Sequence, residues 1–445
     1  MKRGLGFAAG AVALAVAMLA LGSLGPLSGA ADEVSGPGTA GGEASALTAA
    51  GGGDPLDATI ASLQRLLGRR VHWRPLASLG LAYLTKGRAT ADPAYYSKAE
   101  AVLRRSLRLH ASGNFEARLG LGALAAARHD FRGALRWGRS AQGLNPHGAD
   151  AYGVMADALV ELGRYRRARR VLQRMVDLRP GLASYARVSY YRELHGDVTG
   201  AIEAMSAALQ FGGAGEDAAW AAYQLGELYF NSGRVAEARH EYARAAYLAP
   251  RYPLPKAGLA KVAAARGRLQ QATRILAPVV ARYPSPELVI LLGDLYRAAG
   301  RPRRAAAQWE LVEVMQRLYE SNGFNLDLEL VLFDADHGRA PGATVRRARR
   351  ALAARPGVAV ADALAWALYR DGRYQRAIKA SRRALRIGGA NALFHYHAGM
   401  ISARLGDRRA ARRHLRRALE INPHFSFRYG QSASRNLARL EGAGS

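Results

Sequence analysis

Asp334, Asp336 and His337 fall within one short stretch and are the first candidates for chemistry, because carboxylate and imidazole are common ligands of a divalent metal. On a helix, neighbouring residues point in different directions, so the three do not converge on one ion. His395 and His397 stand two apart and lie on different helix faces, which denies them the chelating geometry of a pair four apart. The sequence has no phosphate-binding glycine loop, no nucleophile elbow and no HExxH pair. It also has no Cys, which excludes a thiolate zinc site, a cysteine nucleophile, a disulfide framework and a lipid-modified cysteine anchor. The reading is therefore of a protein that is not an enzyme, with no catalytic residues, no metal and no cofactor.

Charge is the other chemical resource. The 445 residues carry 64 Lys+Arg against 35 Asp+Glu, a formal charge of +29. Only Lys2, Lys86, Lys98, Lys256, Lys261 and Lys379 are lysines, so nearly all of this is Arg. The arginines run together at 164–170 (RYRRARR), 301–304 (RPRR), 346–350 (RRARR) and 408–417 (RRAARRHLRR). Such runs suit an anionic partner such as acidic lipid or nucleic acid. They also suit plain solvated helix surface, with Arg stems covering apolar area, and a GC-rich coding bias would raise Arg, Ala and Gly together. A single-strand stacking platform is not indicated, because the aromatic residues are not interleaved with the arginines.

The elements that carry these residues repeat. Gly163, Gly196, Gly233, Gly267, Gly300, Gly338, Gly372 and Gly406 recur at about 34-residue spacing. His129 takes the same place before Gly163, and Gly87 before that, with an insertion around 88–95. Seven residues before these marks sits a small residue: Gly80, Gly122, Ala156, Ser189, Gly226, Ala260, Gly293, Ala365 and Gly399. Five after them sits Ala, at 168, 201, 238, 272, 305, 377 and 411. Apolar residues between the marks fall at helical spacing. Each unit thus reads as two antiparallel helices, a glycine stop between them, and a Pro closing the second helix at 146, 180, 250, 284, 356 or 423. The small residue and the Ala are expected to face each other where the two helices touch. The eighth unit departs from the pattern. Val331 replaces the small residue, Asp334 the usual Tyr, the second half slips by one near Pro341, and a long linking segment, Met315 to Asn325, precedes it. An irregularity or hinge is expected there.

This pattern resembles the tetratricopeptide repeat, with Leu225, Gly226, Tyr229, Gly233, Ala238, Tyr242, Ala245 and Pro250 as its fullest instance. The resemblance implies an all-α fold, a right-handed superhelical solenoid of about ten helix–turn–helix units over residues 73–423. Residues 55–72 (Ile60, Leu63, Leu66 and Leu67 on one stripe) and 424–445 (Leu437, Leu440) are expected to cap it. It also implies that first helices line a concave face. The inward positions carry ten acids (Glu116, Asp150, Asp157, Glu161, Glu193, Glu227, Glu287, Asp294, Asp336, Asp362) and five bases (Arg74, Lys261, Arg297, Arg370, Arg404). Tyr190, Trp220, Tyr223, Phe230, Trp366, Tyr369 and Tyr396 join them, and aromatic side chains anchor many recognition surfaces. The expected role is a non-catalytic interaction scaffold that takes a protein or peptide, with basic segments, in an acidic and aromatic groove. The groove lacks the Lys and Asn arrangement by which some such repeats clamp a C-terminal carboxylate.

At the start of the chain, Lys2 and Arg3 precede an uncharged apolar run from Leu5 to Leu24, then Pro26 and Ser28-Gly29-Ala30. Residues 1–30 read as a cleaved export signal or a membrane anchor, and 31–54 as a Gly/Ala-rich flexible linker. The expected location is outside the cytoplasm, either exported or tethered to the inner membrane and facing outward.

Overall fold

The computed structural model describes residues 54–442, so the segments at 1–30 and 31–53 lie outside the described residues. The described residues form helices throughout, with no strand among them. Helix α1, Pro55–Arg69, starts at Asp54, whose side chain accepts from Leu56 N–H. Ten helix pairs follow. They are α2 Trp73–Thr90 with α3 Ala94–Leu109, α4 Phe115–Ala127 with α5 Phe131–Leu144, and α6 Ala149–Glu161 with α7 Tyr165–Leu178. Next come α8 Leu182–Leu194 with α9 Val198–Phe211, α10 Glu216–Asn231 with α11 Val235–Leu248, and α12 Leu254–Ala265 with α13 Leu269–Arg282. The last four pairs are α14 Pro286–Ala298 with α15 Pro302–Ser321, α16 Asp327–His337 with α17 Pro341–Ala354, α18 Val358–Arg370 with α19 Tyr374–Ala384, and α20 Ala392–Arg404 with α21 Arg408–Ile421. Helix α22, Tyr429–Gly442, ends the described chain. Helices pack on their partners, and neighbouring pairs pack on one another, at the junction of the seventh and eighth units through α14 on α16, which makes a solenoid of stacked hairpins.

The turn marks behave as the spacing predicts. Gly196 at φ +82 and Gly406 at φ +80 sit in the left-handed region that stops a helix without penalty only at glycine. His129 takes the same conformation at φ 62. The first unit corrects the sequence reading. Gly87 lies inside α2, and the left-handed stop is Ala91 at φ 57. The insertion lengthens α2, and Gly87 instead admits the Tyr96 ring, which an added Cβ would meet at 2.7 Å.

The small residues also have a different partner from the one expected. A Cβ on Gly226 would first meet the Tyr242 ring at 2.6 Å, one on Gly293 the Trp309 ring at 2.6 Å, and one on Gly399 the Leu415 side chain at 2.8 Å. In these three units the small position makes room for a large residue sixteen further on, whereas Gly80 admits Leu103 and Gly122 meets Val154, and Gly258 closes on the same Tyr242 ring. Direct contact across the hairpin persists at Ser189, whose hydroxyl donates to the Ala201 carbonyl at 2.8 Å.

The segment read as a long link before the eighth unit is mostly helix, since α15 runs to Ser321. Its remainder is tied down. Phe324 packs edge-on against Tyr96 and Tyr319, and Asn325 N–H donates to Arg128 O at 3.1 Å. These contacts join the seventh unit to the first two, and the pattern continues along the chain. Tyr283 Oη donates to Arg88 O. The turn at Gly163 meets Pro356, the turn at Gly196 meets Gly388, and Asn422 Nδ2 donates to Phe230 O at 2.7 Å beside Gly233. The turn of each of the first five units thus meets a loop five to six units later. The superhelix closes upon itself, so successive coils are in contact.

Candidate functional site

Coil closure decides what the inner face offers. Helix α6 is buried at twelve of its thirteen residues, so the third unit presents no open groove. Asp157, expected on the concave face, is buried and held by Arg187 through Nε–Oδ1 at 3.0 Å and Nη2–Oδ2 at 2.8 Å. Glu161 is buried against Arg355 of the next coil. Near the C-terminal end α22 covers the face. Trp366 donates to Asp336 Oδ1 at 2.7 Å and stacks on Tyr369 and His397. Tyr396 stacks on Tyr429 and reaches Ser432 Oγ. Trp220 is 8 % exposed and sits in the core.

The other expected residues come together. Tyr190, Glu193, Tyr223, Glu227, Phe230 and Asp294 line one cavity of about 270 Å³ between the coils. Its near wall is made by first helices α8, α10, α12, α14 and α16, and its far wall by α18, residues 387–394 and residues 422–427. These are inner-face positions, so one helix periodicity delivers them all to one space. The far wall is built by coil contact, and no local signal in the sequence marks it.

Acids dominate the lining: Glu193, Glu227, Glu287, Asp294, Glu329 and Asp362, with Lys261 among them. Most have protein partners. Lys261 Nζ donates to both oxygens of Glu227 at 2.6 Å, and Tyr242 Oη donates to the same carboxylate. The ammonium also lies over the Phe230 ring. Asp362 accepts from His397 Nδ1 at 2.8 Å. Asp294 contacts His337 Nε2 at 3.2 Å, with Arg428 at 3.8 Å. Burial pushes the Asp294 carboxyl up to about 8 against the pull of Arg428, and it pushes Glu193 up to about 7, where Asn231 donates at 3.1 Å. Glu287 is likewise raised to about 7 by burial, with Glu329 adding to it. Glu329 is missed by the sequence reading because the eighth unit departs from the repeat. It is 5 % exposed, and neither carboxylate oxygen has a hydrogen-bond partner.

The stretch considered for a metal is spoken for. Asp334 accepts from Arg347, Asp336 accepts from Trp366 and Tyr429, and His337 turns to Asp294. Among the described residues no group of three His, Cys, Asp or Glu is placed to hold a metal ion. His395 pairs with His414 at 3.0 Å, away from His397. The arginine runs face outward: Arg166, Arg167, Arg169, Arg170, Arg346, Arg349, Arg350, Arg409, Arg413 and Arg416 are exposed. Among the described residues no helix is long and apolar enough to cross a membrane.

Fold and inner face together define a stacked helical-hairpin solenoid. Sequence profiles described as tetratricopeptide repeat match residues 125–188, 195–253 and 258–322, and 392–425. The chain carries tetratricopeptide repeats. No curated protein matches it. Among solved structures it is similar to a thermophilic TPR protein of Thermus thermophilus (24% identity, 40% of this chain and 92% of that one, TM-score 0.36). It is also similar to a tetratricopeptide repeat protein from Parabacteroides merdae (18%, 57% and 96%, 0.41) and to yeast Tom70 (12%, 88% and 86%, 0.37).

Proposed function

We propose that the protein is a protein-interaction scaffold without catalysis, and that it seats part of a basic peptide or protein segment in the cavity between its coils. The observation that carries this reading is the cavity lining itself, in which Tyr190, Tyr223 and Phe230 stand among six carboxylates and one lysine. Aromatic faces supply contact area and cation–π attraction, while the acids favour Lys and Arg over acidic side chains. A volume of about 270 Å³ admits side chains and excludes a folded domain, so the rest of the partner lies along the rim. The test is a screen of short peptides of varied charge against the full chain. Binders are expected to be enriched in Lys and Arg and to be lost on Phe230→Ala with helicity intact. Enrichment of acidic peptides, or unchanged binding by the variant, would overturn it.

A second reading rests on the exposed arginines of α17, α19 and α21, which come from consecutive units. They would dock on an anionic surface, with retention on heparin falling steeply between about 50 and 200 mM salt. Flat retention across that range counts against it. For residues 1–30 we propose export or tethering outside the cytoplasm, and N-terminal sequencing of the mature chain separates cleavage from anchoring.

A further inference from the structure

Glu329 is the carboxylate in the cavity whose oxygens both go without a hydrogen bond. A buried carboxylate without hydrogen bonds is costly and is ordinarily neutralised or paired. Arg355 attracts it electrostatically and bonds Glu161 through Nε, but no Arg355 nitrogen donates to the Glu329 oxygens, and its buried Nη1 has no hydrogen-bond partner. Lys261 is held by Glu227. The second carboxylate acting on this space, Glu287, is raised to about 7 by burial with Glu329 adding to it, so the two share little charge at neutral pH. The neighbouring wall is apolar, with Leu291, Leu328 and Leu332. The cavity of about 270 Å³ has room for a long side chain or a linear diamine. A metal ion does not fit this pattern, since no third ligand joins the two glutamates among the described residues.

We propose that the cavity is a subsite for one organic cation, with an ammonium or guanidinium head against Glu329 and its aliphatic stem on the leucine wall. This deepens the scaffold reading by naming the group the cavity takes. The same chemistry could arrive as a Lys or Arg side chain of a bound segment or as a free amine.

The test is titration calorimetry on the full chain with three probes: cadaverine, N-acetyl-lysine methylamide and N-acetyl-arginine methylamide. Glu329→Gln should weaken binding by about tenfold or more, the loss of one charged contact. It should leave the melting temperature unchanged or higher, because it removes a buried carboxyl whose oxygens have no hydrogen bond. Leu332→Trp, which fills the cavity, should also abolish binding, and Glu237→Gln on the surface should not. Binding of the amides alone assigns the source to a partner's side chain, and binding of cadaverine alone assigns it to a free amine. Either supports the subsite. No binding of any probe, or equal binding by Glu329→Gln and Leu332→Trp, overturns it. Peptide capture that survives in Glu329→Gln while all three probes fail sinks the subsite and leaves the scaffold standing.

Discussion

Glu161 and Arg355 lie 194 residues apart in the chain and form a buried ion pair. It joins the end of α6 to the loop between α17 and α18, with Val358 N–H donating to Tyr165 Oη beside it at 3.1 Å. The pair locks one coil of the superhelix onto the next. Both residues are 5 % exposed, so removing one strands a charge in a dry site.

Arg355→Met alone is therefore expected to cost about 3–5 kcal/mol. The double variant Glu161→Leu/Arg355→Met should recover most of that, because two apolar side chains replace a desolvated pair. Urea unfolding of wild type and the two variants measures it. Equal losses in single and double variants would show that the pair does not act as a unit.

Coil contact should also separate the turn glycines. Gly267 has positive φ with nothing near a Cβ, so Gly267→Ala pays only the left-handed strain of about 1–2 kcal/mol. Gly196 has positive φ and would push a Cβ to 2.5 Å from the Gly388 carbonyl. Gly196→Ala should lose clearly more stability than Gly267→Ala and should enlarge the radius of gyration in X-ray scattering. Matching losses and matching radii would argue against closure of the superhelix.

The Tyr242 ring is clasped by Gly226 and Gly258, where added Cβ atoms would lie at 2.6 and 2.5 Å. Gly226→Ala is expected to destabilise by about 1–3 kcal/mol through overpacking. Tyr242→Leu in the same chain should partly rescue it relative to the sum of the single changes, a coupling that a double-mutant cycle reads directly.

Stability should fall as pH rises from about neutral to 8. Burial raises Glu193 and Glu287 from 4.5 to about 7, and Asp294 from 3.8 to about 8. Over that interval the folded chain holds protons the unfolded chain has already lost, so deprotonation favours unfolding. Below pH 6.5 an opposite force grows, because burial holds His129, His337 and His395 near 4 and the unfolded chain binds those protons first. Melting temperatures of wild type and Glu193→Gln across pH 6.5–8 check the sign. The variant should show a flatter slope, since its amide keeps the place of the protonated carboxyl beside Asn231 and no longer titrates against Glu227.

Much of the architecture is legible in the chain because it is set locally. Glycine at positive φ stops a helix wherever it occurs, and helical spacing of apolar residues fixes which face is buried. Gly196, Gly233 and Gly406 and the helix pairs around them follow from that alone. The inward positions of Tyr190, Glu193, Tyr223, Glu227 and Phe230 follow from the same periodicity. Where a local signal was ambiguous the reading failed, as at Gly87, which packs against Tyr96 rather than ending its helix. Only the tertiary structure decided whether the inner face was an open groove. That depends on the small rotation between successive units, summed over five or six of them, and no single residue encodes such a sum. The summed rotation brings Arg355 to Glu161 and closes the cavity by setting residues 387–394 and 422–427 opposite Glu193 and Glu227, while the terminal helix α22 covers Trp366.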